Sequence, residues 1–238
     1  MAFIHLIRHG QASFGSANYD CLSPIGHRQG QVLGEHFSSI GQGFDVCIAG
    51  EMDRQQKTAH EVMQRLPGQV PELVTDAAFN EYDSDGIFKA FMPSVLQDDP
   101  GLAELLKDDF RVMYRDKAIF QRAFVNVVRH WSEDAEHGLP ELETWDAFIG
   151  RVQAGLHQIR DAHERKAQVA VFTSGGAISI ALGIVLGLNS RDALLLSWGI
   201  ANASVTELYA SGTGLFLNGF NNFTHLKLAG DSTLVTYR

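Results

Sequence analysis

The stretch that decides the fold is AFIHLIRHG at residues 2–10, an apolar run that ends in an arginine, a histidine and a glycine. A nearly continuous apolar run is typical of a strand that a parallel sheet buries on both faces. Similar short runs recur at residues 44–49, 73–75 and 168–173, with helical patterns between them. This alternation predicts an α/β fold, in which a mostly parallel sheet carries helices on both faces of a three-layer sandwich.

Residues 82–140 interrupt the alternation, because their aromatic and aliphatic side chains recur at helical spacing. We therefore predict a mainly helical insertion after the third strand. Two later runs, at residues 205–209 and 215–220, are separated by SGTG and predict a closing pair of strands. The sequence shows no linker or internal repeat, so we expect a single domain over residues 1–238.

The composition excludes several classes of protein. Of the 238 residues, 19 are Lys or Arg and 28 are Asp or Glu, and the net charge of −9 argues against a nucleic-acid partner. Two cysteines are too few for a disulfide framework and indicate a reducing, cytoplasmic setting. The longest apolar stretch, residues 175–188, is shorter than the roughly 20 residues that span a bilayer. We expect a soluble protein with no membrane partner.

Charged and small residues stand where three of the predicted strands end. Arg8 and His9 close the first strand, Arg54 follows the second, and TSGG at residues 173–176 follows the fourth. Open α/β sheets bind ligands beyond the carboxyl ends of their strands. Arginine matches phosphate oxygens, and a helix N-terminus offers free N–H groups to an anion. The pattern predicts a phosphate pocket that contains a histidine.

Several segments, in this order, resemble the histidine phosphatase superfamily and its phosphoglycerate-mutase-like branch. They are RHG at 8–10, LSPIG at 22–26, RQQKTA at 54–59, ELETW at 141–145 and, in part, SGGAI at 174–178. The resemblance covers most of the chain outside residues 82–140. It implies a phosphatase, a hydrolase acting on a small phosphorylated substrate. The sequence has no paired metal-ligand spacing and no nucleotide-binding glycine motif, so we expect neither a metal nor a nucleotide cofactor.

The resemblance also implies how the phosphoryl group is handled. His9 would attack phosphorus and become a phosphohistidine, while Arg8 and Arg54 would neutralise the equatorial oxygens. Gly175 would bind the phosphate as well, and Gln11, in the loop after the nucleophile, is a further candidate contact.

The general acid of the family falls after the third strand, where Glu81 fits best. Glu81 would protonate the leaving alkoxide and then activate water. Asp83 and Asp85 are rivals for this role, because the spacing from the carboxylate to Gly86 is looser than is usual in the family.

Two positions depart from the family pattern. Ser174 stands where the family carries a second histidine, and Gly15 stands where an asparagine is common. A serine can donate a neutral hydrogen bond but brings no positive charge, so we predict a phosphate-binding Ser174 and a site of reduced activity. His225 lies in a segment similar to one near the family's C-terminus, and we interpret it as structural.

Three other functions remain open at this point. A pocket without the second histidine could bind a phosphorylated ligand without turning it over. A phosphoglycerate mutase is a further option, although the insertion lacks the arginine-rich run associated with that branch. Ser174, Asp192 and His225 follow the order of an α/β-hydrolase triad, but Phe172 fits the strained nucleophile turn poorly. Nothing in the sequence identifies the substrate or the oligomeric state.

Overall fold

The computed structural model describes residues 2–13, 20–133, 142–162 and 166–237. The chain divides into two units, one formed by Met1–Glu81 with Arg151–Arg238 and the other by Tyr82–Gly150. The first unit contains the sheet together with Arg8, His9, Arg54, Glu81 and Ser174.

A six-stranded sheet forms the centre of the first unit. Its strands are β1 (Ala2–Arg8), β2 (Val46–Ala49), β3 (Leu73–Thr75), β4 (Gln168–Thr173), β5 (Val205–Ser211) and β6 (Gly214–Asn222). Their order in the sheet is β3-β2-β4-β1-β5-β6. Neighbours among the first four strands pair in parallel, whereas β5 is antiparallel to both β1 and β6. The predicted α/β fold with a mostly parallel sheet is confirmed.

The helices alternate with these strands and also fill the second unit. In chain order they are α1 (Pro24–Ser39), α2 (Asp53–Met63), α3 (Ser84–Asp98), α4 (Pro100–Leu106), α5 (Val112–Arg115), α6 (Lys117–Glu133), α7 (Trp145–Ala162), α8 (Gly175–Leu186), α9 (Ser190–Leu195) and α10 (Thr224–Leu228). The start of α1 follows from its sequence, since the Ser23 side chain accepts a hydrogen bond from the Gly26 N–H and Pro24 occupies the first turn.

Helices cover the sheet on both faces of its central strand. Ile7 of β1 and Phe172 of β4 belong to the buried cluster that includes Leu33 of α1 and Val62 of α2. On β1, Ile4 and Leu6 alternate with Ile7 and are buried too, and α8 packs against β1 and β6. Although α8 is apolar on nearly all sides, no helix in the described parts of the chain has the length and apolar character to cross a bilayer.

The second unit is helical, with α3 to α6 between residues 84 and 133. Trp131 of α6 is fully buried, packs edge-on against Trp145 and donates its indole N–H to the Glu143 carbonyl. Residues 134–141, which include part of the predicted insertion and of the ELETW segment, lie outside the described residues. The single domain with an insertion at residues 82–140 stays a prediction.

Candidate active site

His9 is held at the carboxyl end of β1 by backbone contacts on two sides. Its N–H donates to the Thr173 carbonyl at 2.8 Å, which extends the β1–β4 pairing by one residue. The next N–H, of Gly10, donates to Thr58 Oγ1 at 2.9 Å. Gly10 is required here because a Cβ on it would lie 2.4 Å from the Gly26 carbonyl oxygen. The loop after β1 is therefore pressed against the start of α1.

The imidazole of His9 is arranged as a neutral nucleophile. Nδ1 lies 2.7 Å from the Gly10 carbonyl oxygen, which can only accept, so Nδ1 carries the proton and Nε2 the lone pair. Arg54 Nε donates to this Nε2 at 3.2 Å. Burial, together with the nearby charges of Arg54 and Arg8, holds the pKa of His9 well below its ordinary value. The ring is consequently uncharged at neutral pH.

Arg54 is oriented by a carboxylate that sequence reasoning missed. Its Nη1 donates to Asp20 Oδ1 at 2.7 Å. The other oxygen, Asp20 Oδ2, accepts the Asp53 N–H at 2.9 Å, where α2 begins. Asp20 thus stabilises the N-terminus of α2 and fixes the guanidinium that faces His9. Its position two residues before the LSPIG segment gave no sign of this contact.

Arg8 is the second guanidinium whose charge acts on His9. Its Nη1 donates to the carbonyls of Ile200 and Tyr237, the latter at 3.2 Å. A Cβ built on Gly175 would lie 3.5 Å from Arg8 Nε, so this guanidinium packs beside the start of α8. Because both guanidinium groups act on the pKa of His9, the structure brings together the three residues that the strand ends predicted.

Ser174 is fully buried at the N-cap position of α8. Its Oγ accepts a hydrogen bond from Gln55 Nε2 at 2.8 Å. Among the described residues this partner is an amide and not a histidine, so the structure does not support the serine–histidine pair of the hydrolase alternative. A direct role of Ser174 in binding phosphate stays a prediction.

Of the three candidate acids, Glu81 lies at the start of α8. Its Oε2 accepts the Gly176 N–H at 3.0 Å. Asp83 instead accepts the Gly86 N–H at 2.9 Å and caps α3, and Asp85 lies in the first turn of that helix. This placement favours Glu81, whereas Asp83 has a structural task at the start of α3.

The remaining candidate contacts differ in their surroundings. The side-chain oxygen of Gln11 accepts from Ser23 Oγ at 2.8 Å, so this amide helps to hold the start of α1. His225 is buried and stacks on His36, with ring centroids 5.7 Å apart, which fits a structural role. Gly15 lies outside the described residues.

A polar network from the C-terminal part of the chain supports the His9 loop. Asn202 Nδ2 donates to the His9 carbonyl at 3.1 Å, and Asn202 Oδ1 accepts from Thr236 Oγ1 at 2.9 Å. Thr236 Oγ1 in turn accepts from Gln29 Nε2 at 2.8 Å. Gln29 Oε1 accepts the N–H of Gln11 at 2.7 Å, which completes the network. None of these amides belongs to a motif that would have marked it in the sequence.

The arrangement suits an anion better than a cation. Two guanidinium groups lie near a neutral imidazole, and one of them packs beside the N-terminus of α8, which is chemistry for a phosphoryl group. Within residues 2–13, 20–133, 142–162 and 166–237, no group of three or more His, Cys, Asp or Glu side chains is placed to hold a metal ion.

Comparisons with known proteins agree with this chemistry. A 2,3-bisphosphoglycerate-dependent phosphoglycerate mutase from Bartonella quintana (strain Toulouse) is 29% identical over 195 residues, which cover 79% of this chain and 82% of that protein. A phosphoserine phosphatase variant from Entamoeba histolytica in complex with phosphoserine has a similar structure, with a TM-score of 0.61 at 16% identity, covering 95% of this chain and 100% of that one.

An alpha-ribazole phosphatase from Shigella flexneri is also similar in structure, with a TM-score of 0.58 at 18% identity, covering 92% of this chain and 96% of that one. At these identities the two structures show the fold alone. The sequence profile of the Histidine phosphatase superfamily (branch 1) matches residues 4–90 and 87–222, which is most of the chain. The match includes His9, both arginines and the start of α8, and the protein belongs to this superfamily.

Proposed function

We propose that the protein is a phosphomonoesterase that hydrolyses a small phosphorylated substrate through a phosphohistidine on His9. The observation that carries the proposal is the state of the His9 ring. It is buried and neutral, its Nδ1–H donates a hydrogen bond to the Gly10 carbonyl, and its Nε2 accepts one from Arg54 Nε. This nitrogen has the lone pair that an attack on phosphorus requires.

In the first step, substrate phosphate takes the place of His9 Nε2 as the partner of Arg54 Nε. The two arginines neutralise the equatorial oxygens, and Nε2 attacks phosphorus in line with the leaving oxygen. The N–P bond forms while the P–O bond to the leaving group breaks. Glu81, held by the Gly176 N–H, donates its proton to the departing alkoxide.

In the second step, the Glu81 carboxylate takes a proton from water, and the resulting nucleophile attacks the phosphohistidine. The N–P bond breaks, inorganic phosphate is released, and His9 recovers its neutral form with Glu81 protonated again. The cycle needs no further reactant. Because Ser174 brings no positive charge, we expect slower turnover than a histidine at that position would allow.

The relatives support a class of substrate. The similar proteins include a phosphoserine phosphatase, an alpha-ribazole phosphatase and a phosphoglycerate mutase, which supports a small phosphomonoester. Hydrolysis is favoured over mutase activity because Ser174 replaces a residue that the mutases use.

Incubation with 4-nitrophenyl phosphate at mildly acidic pH tests this function. Wild-type protein should release nitrophenol and carry an acid-labile phosphate that peptide mass spectrometry locates on His9. His9→Ala should abolish both signals. The matched control is His60→Ala, an exposed histidine on α2, which should behave like the wild type.

Two results would contradict the proposal. If His9→Ala kept most of the activity, the phosphohistidine mechanism would be wrong. If the wild type bound vanadate with high affinity but released no nitrophenol from any ester, the protein would be a phosphate-binding member of the same superfamily.

A further inference from the structure

The segment that leads to Glu81 is held by side chains from three other elements. The Phe79 carbonyl accepts hydrogen bonds from Gln55 Nε2 at 3.0 Å and from Thr173 Oγ1 at 2.7 Å. Arg151 Nη1 donates to the carbonyls of Ala78 and Asn80 at 3.1 and 2.8 Å. Each of the three carbonyls before Glu81 therefore has a side-chain donor, which restricts the segment to one conformation.

Gln55 differs from the other donors because it also reaches the start of α8. Its Nε2 donates both to the Phe79 carbonyl and to Ser174 Oγ, at 3.0 and 2.8 Å. Gln55 and Ser174 are fully buried, so water cannot reach them to replace either hydrogen bond, and losing one leaves a buried polar group unsatisfied. One amide thus ties the segment of the acid to the turn that starts α8.

These contacts form a closed circuit around the carboxylate. Two residues after Phe79 comes Glu81, and two residues after Ser174 comes Gly176, whose N–H donates to Glu81 Oε2 at 3.0 Å. The bonds of Gln55 fix one side of this circuit, and the Gly176–Glu81 bond closes the other. Thr173 Oγ1 also donates to the Phe79 carbonyl, so a change at Gln55 should loosen this side of the circuit without removing Arg8, His9 or Arg54.

We propose that Gln55 is a positioning residue for Glu81: its side-chain amide, bonded to both Ser174 Oγ and the Phe79 carbonyl, sets where the proton donor stands relative to the leaving group. The inference rests on the proposed function, since it assigns Gln55 to the proton-transfer step of that reaction. It also gives Ser174 a role within the circuit as the acceptor for Gln55.

A change at Gln55 should affect substrates differently according to their leaving group. An alkoxide is a poor leaving group and needs the proton from Glu81, whereas 4-nitrophenolate leaves readily without it. A displaced acid should therefore slow phosphoryl transfer from alkyl phosphates and have little effect on 4-nitrophenyl phosphate. Damage to phosphate binding or to the fold would reduce both reactions together.

The test compares kcat/KM for an alkyl phosphate and for 4-nitrophenyl phosphate in wild-type protein and in Gln55→Met, which keeps the length of the side chain and loses the donor. We expect the alkyl reaction to fall roughly 10- to 100-fold further than the aryl reaction, within the roughly 10²–10⁴-fold that a general acid contributes. Gln56→Met is the matched control, because the neighbouring Gln56 donates to the Gly50 carbonyl instead. Gln56→Met should leave the ratio of the two kcat/KM values unchanged. Equal losses for both substrates in Gln55→Met would overturn the proposal.

A second measurement needs no turnover. Because the Gly176 N–H donates to Glu81, its amide NMR resonance should shift as Glu81 takes up a proton, and Gln55→Met should weaken or abolish this shift. The same pH-dependent shift in both proteins overturns the inference, whatever the kinetics. A wild type that hydrolyses no ester contradicts the proposed function instead, and the Gly176 resonance then decides on Gln55 alone.

Discussion

Acidification should destabilise this protein through His225, because burial and the neighbouring His36 lower the pKa of the His225 imidazole to about 4. Its ring stacks on that of His36, with centroids 5.7 Å apart. Among the described residues, His225 Nε2 has no hydrogen-bond partner. A proton on this nitrogen would place a buried charge beside a second imidazole, which the folded state resists.

The size of the effect follows from the two states. The unfolded chain takes up the proton near the ordinary value of 6.5, and the folded chain only near 4. Above the higher value both states are neutral and His225 has no effect. As the pH falls between the two values, the free energy of unfolding drops by about 1.4 kcal/mol per pH unit, and it levels off below the lower value. The total loss is about 3 kcal/mol, of which about 2 kcal/mol is reached near pH 5.

Urea unfolding of wild-type protein and of His225→Phe, between about pH 8 and pH 4, measures this loss. Phenylalanine keeps the stacked ring and cannot take up a proton, while the other titrating groups are common to both proteins. The difference in free energy of unfolding should therefore shift by about 3 kcal/mol in favour of the variant over this range. The exposed His60 provides the control His60→Phe, which should follow the wild type. A difference between wild type and His225→Phe that does not change with pH would refute the reasoning.

Three further changes test the pocket. Asp20→Asn removes the carboxylate that pairs with Arg54, so inorganic phosphate should bind more tightly by about 1 kcal/mol in a calorimetric titration; unchanged or weaker binding would count against this pairing. Gly10→Ala forces a Cβ to within 2.4 Å of the Gly26 carbonyl oxygen, so urea unfolding should show a free energy of unfolding lower by roughly 1–3 kcal/mol. An unchanged free energy of unfolding would mean that the loop can move aside. Ser174→His overpacks a fully buried position, so it should lose a similar amount of stability and raise kcat by a factor of at most roughly 10²–10³. An unchanged kcat in both Ser174→His and Ser174→Ala would show that this side chain does not contact the phosphoryl group.

The sequence predicted those parts of the site that follow from periodicity. Buried strands reveal themselves as apolar runs, and parallel strands end at one edge, so the proximity of His9 and Arg54 could be inferred without coordinates. The structure leaves fewer candidates for the general acid than the sequence did, because Asp83 is the N-cap residue of α3. N-capping depends on where a helix begins, and helix boundaries are the least certain element of any sequence-based prediction.

Contacts between distant polar side chains could not be predicted in this way. The bond from Asp20 to Arg54 depends on a loop conformation, and the bond from Asn202 to the His9 carbonyl joins residues far apart in the chain. Neither follows from a repeat of apolar residues. The same holds for Gln55: the sequence shows a serine at residue 174 but not which side chain donates a hydrogen bond to it.

The polar network behind His9 ties the assembly of the site to the order in which the chain is synthesised. Asn202 and Thr236 are among the later residues to leave the ribosome, yet they hold the carbonyl of His9 and the amide of Gln29 near the beginning of the chain. Until they emerge, the histidine loop lacks these partners, even though β1 and α1 have long been available. A nascent chain should therefore hold the His9 loop in place only after both Asn202 and Thr236 have emerged from the ribosome.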